Sequence, residues 1–123
     1  VRDRLVVGVP GDDDRGPGSG SAFVFVRSGN LWSQQAKLVS LNLAAGDGFG
    51  SAVTISGDSV LVGAPLANAG HGKSYVYTLT SGAWLQQAVL SAPWPGYHQF
   101  GGAVQLLGDY AVIAGQQWPD SLT

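Results

Sequence analysis

The chain has 123 residues, a formal net charge of −2 and only 11% charged residues against 45% hydrophobic ones, a balance opposite to that of disordered chains. All of its acidic residues are Asp, Lys occurs only at Lys37 and Lys73, and Met is absent, so good helix formers are nearly missing and a mainly helical protein is disfavoured. The charge leaves no general basic footprint for nucleic acid, no apolar run approaches the roughly 20 residues that span a bilayer, and the absence of Cys removes disulfides, thiolate chemistry and cysteine–zinc sites together.

In chain order, the first element is an apolar strand over 3–10 (DRLVVGVP) with no signal-peptide pattern before it. Pro10 closes it, because its missing N–H and fixed φ stop a ladder. A Gly-rich loop, 11–20, holds Asp12, Asp13 and Asp14 in a row. Two strands follow, SAFVFV (21–26) and a run within 28–38 (SGNLWSQQAKL), joined at Ser28-Gly29. The next run covers Phe49 to Ser56. Gly57-Asp58 then suits a type II′ hairpin turn with Gly first, and Ser59 to Ala64 is nearly all apolar or small, as in a strand covered on both faces. After Pro65 and the loop 66–72 comes Lys73 to Thr80, in which Tyr75 and Tyr77 alternate with Val76 and Thr78 at the two-residue period of a strand. Ser81-Gly82 marks a tight connection to Trp84–Ser91. A Pro-rich segment, APWPGYHQ, precedes the last two runs, which meet at Gly108-Asp109.

The runs repeat. DRLVVGVP (3–10) aligns without gaps on DSVLVGAP (58–65), an offset of 55, and more weakly on DYAVIAGQ (109–116), 51 further on. GDGFGSAVTISGD (46–58) matches YHQFGGAVQLLGD (97–109), placing Phe49 over Phe100, and SGNLWSQQAKL matches SGAWLQQAVL (81–90). One period holds four short strands, the arithmetic of a β-propeller blade. The fold class is therefore all-β: blades of four antiparallel strands, about two and a quarter of them, with a β-sandwich as the alternative. Boundaries fall at 1–45 for a partial blade, 46–96 for a complete one and 97–123 for a second partial one. Glycines at Phe49-Gly50, Phe100-Gly101 and Gly63 allow close backbone approach. Two blades cannot close a ring, so other blades of a longer chain, or other copies, are expected beside these. The uneven strand count, three then four then two, and an end in mid-blade at Pro119-Asp120-Ser121 favour a longer chain.

GDGFGSAVTISGDSVLVGAP followed by GKSYVYTL resembles the FG-GAP repeat, through Phe49-Gly50 and Gly63-Ala64-Pro65. The third copy departs from it, with Ala114-Gly115-Gln116 in place of Gly-Ala-Pro. The resemblance implies a propeller like that of integrin α-subunits, an extracellular or cell-surface location and non-enzymatic work. That work would be scaffolding or adhesion, through loops that bind a protein or glycan partner. Its alternatives are a structural subunit of an extracellular filament, a lectin-like carbohydrate-binding module and an accessory module of an enzyme.

No cofactor is expected beyond a candidate calcium ion at Asp12, Asp13 and Asp14. Asp12 and Asp14 alternate as oxygen ligands do, but Gly16 stands at the next alternate position and Arg15 adjoins the cluster. The competing reading is an acidic turn whose side chains cap backbone groups. Asp47, Asp58 and Asp109 recur with the repeat and read as turn residues accepting backbone N–H bonds. His71 and His98 fall at different repeat positions and read as uncoupled, with no catalytic partner. Trp32 and Trp84 share a repeat position and read as cover for a seam or rim. The partner-binding candidates are Asn68, His71, Trp94, Tyr97, His98 and Trp118, the two Trp residues because an indole stacks on a sugar or anchors a protein contact. The Gln34-Gln35 and Gln86-Gln87 pairs read as an exposed polar outer strand.

Overall fold

Runs rich in Val, Leu and aromatic residues, each cut by Gly, Asp or Pro, form nine strands in a computed structural model that describes residues 3–92, 97–108 and 110–117. They are β1 (Arg4–Val9), β2 (Ser21–Ser28), β3 (Leu31–Leu38), β4 (Ala52–Ser56), β5 (Ser59–Ala64), β6 (Lys73–Thr80), β7 (Ala83–Leu90), β8 (Tyr97–Leu107) and β9 (Tyr110–Gln117). They make three antiparallel sheets in the orders β1-β2-β3, β4-β5-β6-β7 and β8-β9. This is the expected series: one four-stranded blade between two partial ones. A short turn of helix, α1 (Ala67–Gly70), lies in the loop after β5, with Asn68 and Ala69 left-handed inside it.

The tight turns follow their residues. Gly57 has φ +56 while Asp58 stays at negative φ, as a type II′ turn requires. Ser81 and Gly82 both have positive φ, the type I′ pattern. The recurrent Gln-Gln-Ala has a structural cause that its polarity did not reveal. Val24 pairs with Ala36 and Phe25 with Gln34, so Gln35 is the extra residue of a β-bulge. Val76 with Ala88 and Tyr77 with Gln86 repeat the device, and Gln87 is extra there.

The core lies between sheets. Ala22, Val24 and Leu38 of the first blade meet Phe49, Val60, Val62, Tyr75 and Tyr77 of the second, and all of them are buried. Phe49 packs edge-on against both tyrosines, with centroids at 5.1 Å from Tyr75 and 6.2 Å from Tyr77. Each blade thus hides its apolar face on its neighbour.

Glycine permits that approach. The pattern starts the first strand of the complete blade at Phe49, but β4 starts at Ala52, because Phe49 bridges to the first blade, while the Gly50 N–H donates to the Gly63 carbonyl of its own blade at 3.0 Å. Phe49 N–H donates to the Ser19 carbonyl at 3.0 Å, and Phe49 forms a parallel bridge with Gly20. Phe100 repeats this with the His71 carbonyl at 3.0 Å and a bridge to Gly72. Gly8 lies against Gly50, and Gly63 against Gly101, so closely that a Cβ on Gly8 or Gly63 would intrude on the carbonyl opposite.

Candidate binding surface

Successive connections in an antiparallel sheet alternate between its two ends. The tight turns at 29–30, 57–58 and 81–82 therefore share one end of the blades, and the long segments 10–20, 39–51 and 65–72 share the other. Backbone bonds stitch the long segments into one surface. Gly46 N–H donates to the Pro17 carbonyl at 2.8 Å, Gly48 N–H to Gly18 at 3.0 Å, and Leu66 N–H to Asp47 at 3.3 Å. The carboxylate of Asp47, itself nearly buried, accepts the Ala44 N–H at 2.9 Å, the turn role expected of it. Asp58 differs: its carboxylate takes the Arg4 guanidinium at 3.0 Å. Asp109 lies outside the described residues.

The three acids of the first loop do not converge on one point: Asp12 and Asp14 share Lys37, while Asp13 turns to the backbone. Asp12 accepts the Ser21 hydroxyl at 2.5 Å and Asp13 the Gly18 N–H at 2.9 Å. Lys37, on β3, places its ammonium 2.6 Å from Asp14 and 3.5 Å from Asp12. The Ser21 bond, with Lys37 assisting, holds the Asp12 carboxyl below the usual carboxylate range against the opposing effect of burial. The Asp14 carboxylate in turn pushes Lys37 above the ordinary lysine range. A calcium ion fits this arrangement poorly. It needs six to eight oxygens turned to one point, whereas here a cation already stands between two of the carboxylates. Among the described residues no three such side chains gather as a metal set. Lys37 was not visible as a partner, since the matching residue of the next repeat is Val89.

The two histidines are closer than their repeat positions implied. His71, in the loop after β5, and His98, on β8, stack with centroids 5.0 Å apart and ring planes 18° from parallel. The Phe100–His71 backbone bond is the reason: it lays the start of one blade along the loop of the preceding one. Asn68, also on the long-segment face, holds φ +53. Tyr97 begins β8; Trp94 and Trp118 lie outside the described residues.

Trp84 marks the outer seam between the first and second blades, as expected. Its indole N–H donates to the Gln35 side-chain oxygen at 3.0 Å, so the bulge of one blade aims an amide at the tryptophan of the next. The Arg4 guanidinium sits 5.9 Å from the same ring and also donates to the Gly57 carbonyl at 3.2 Å. Arg4→Ala is expected to lower stability by about 1 kcal/mol in urea unfolding, mainly through the ring and carbonyl contacts, because Asp58 is largely exposed. A loss unchanged by prior removal of Trp84 would contradict the ring contact.

Four-stranded antiparallel units leaning side by side through paired glycines define β-propeller blades. Residues 32–77 match the family model described as the FG-GAP repeat, so this stretch of the chain carries an FG-GAP repeat. The matched span runs from the outer strand of the first blade to β6 and encloses Phe49-Gly50 and Gly63-Ala64-Pro65. No curated protein matches the chain.

Proposed function

We propose that the protein is a non-enzymatic extracellular scaffold or adhesion module that binds a protein or glycan partner through the long-segment face of its blades. The supporting observation is the stitching of loops 10–20 and 65–72 to the segment that opens the following blade. A surface fixed before contact loses little conformational entropy on binding. Asp14, Asn68, His71 and His98 supply polar and aromatic groups there. Among the described residues no helix is long and apolar enough to cross a membrane. Calcium has no part in this reading, because the Lys37 ammonium already stands between Asp12 and Asp14. Calorimetric titration with calcium is expected to give no saturable heat for the wild type.

The test uses the full chain on immobilised extracellular-matrix proteins and a glycan array. Alanine at Asp14, Asn68 or His71 is expected to weaken the bound partner about tenfold, whereas Asn30→Ala, in a turn at the opposite end, leaves it unchanged. Binding that responds only to the tight-turn end would overturn the assignment.

A further inference from the structure

The outer seam between the first two blades carries a second surface, which the loop-face reading does not use. A groove of about 370 Å³ opens there, within the size range of small-ligand sites. Its walls are Leu41 and Asn42 from the link after β3, Tyr77 from β6, and Trp84, Leu85 and Gln86 from β7. The polar groups are arranged as a chain. The Tyr77 hydroxyl donates to the Gln86 oxygen at 3.4 Å, and the Gln86 amide nitrogen donates to the Asn42 oxygen at 3.2 Å. The Ser40 hydroxyl donates to that same Asn42 oxygen at 3.1 Å. Trp84 is fixed by Gln35 and Arg4, so its ring is set in place before any ligand arrives.

The chemistry of this lining narrows the ligand. Among the described residues lining the groove none is charged at neutral pH, and the nearby Arg4 guanidinium is already engaged by Asp58 and the Gly57 carbonyl, so the walls themselves offer an ionic ligand no counter-charge. The walls instead pair flat aromatic and aliphatic surface with side-chain amides, which both donate and accept. That pairing suits a ligand with apolar C–H faces and hydroxyls around its edge. We propose that this seam groove binds a neutral oligosaccharide, with one sugar ring against Trp84 and its hydroxyls bonded to Asn42 and Gln86. The proposal takes up the glycan arm of the preceding reading but at a separate surface. Asp14→Ala and Asn68→Ala should therefore leave it intact.

The experiment titrates neutral hexasaccharides of β-1,4-glucose, β-1,3-glucose and β-1,4-N-acetylglucosamine into the isotope-labelled full chain and follows amide and indole resonances. Trp84→Phe assigns the Trp84 indole signal. At least one hexasaccharide is expected to shift that signal and the Asn42 and Gln86 side-chain amides saturably in the millimolar range. Asn42→Ala and Gln86→Ala, both at exposed positions, should each weaken binding about fivefold with the thermal midpoint unchanged. The proposal fails if none of the three sugars moves these signals at about 10 mM, the weak end of measurable affinity. It fails equally if the two alanine variants bind like wild type, or if a proline-rich peptide moves these signals and the sugars do not.

Discussion

Gly63→Ala is expected to cost about 4 kcal/mol or more, a large part of what a domain of this size has to lose. Gly63 has an ordinary negative φ, so alanine meets no backbone objection at this position. The cost arises at the seam. A Cβ there would overlap the Gly101 carbonyl oxygen and come within 2.8 Å of its carbon and 3.1 Å of the Gly101 Cα. These are backbone atoms, so no side chain can swing aside, and the third blade must part from the second. Gly8→Ala strikes Gly50 in the same way and should cost as much.

Two controls separate this effect from glycine flexibility. Gly82 has φ +84 and open space around its missing Cβ, so Gly82→Ala should cost only about 1 kcal/mol of left-handed strain. Gly11 has neither a neighbour within 4 Å nor a positive φ, and Gly11→Ala should be neutral or slightly stabilising. Urea unfolding of the four variants measures the order. If Gly63→Ala lay within about 1 kcal/mol of wild type, seam packing would not be what holds the blades together. The third repeat obeys the same logic. At the matching position it carries Ala114, which faces no second Phe-Gly segment among the described residues and lines a cavity of about 230 Å³.

What could be read in advance depended on whether a feature recurs. Strand runs, turn glycines and the close-approach glycines occur in two or three copies, so each copy supported the others. Even so, the pattern puts the Phe49-Gly50 pair inside a strand, because periodicity cannot distinguish pairing within a blade from bridging to the next. Single-copy features were hidden. Lys37 stands where the next repeat has Val89, and nothing local ties it to residues 23 and 25 positions earlier. The His71–His98 stack joins residues from different repeat positions, and only the inter-blade bridge accounts for it. Gln35 and Gln87 did recur, yet their role as bulge residues depends on the register of two strands, which composition does not carry.

Raising the pH through the phenol range should unfold the protein cooperatively, because the seam buries two tyrosines in their neutral form. Tyr75 is fully buried beside Phe49, and Tyr77 is 4% exposed. Burial, with the nearby Asp47 carboxylate adding to it, pushes the Tyr75 phenol up from 10 to about 12. Burial and Tyr75 push Tyr77 higher still, against the Ser40 hydroxyl. Both groups ionise less readily folded than unfolded. The stability they contribute is complete below pH 10 and is lost as pH rises from there through the folded values. At about 1.4 kcal/mol per unit, Tyr75 alone removes about 2 kcal/mol by pH 12, and Tyr77 adds to the loss. Urea midpoints should be flat at neutral pH and fall steeply beyond pH 10. Tyr75→Phe should flatten that fall. It should also raise stability near pH 7 by about 1 kcal/mol, because the Tyr75 hydroxyl is buried with no hydrogen-bond partner. A Tyr75→Phe profile parallel to wild type would mean that the phenol is solvated in the native state, and the seam core would then be looser than its burial indicates.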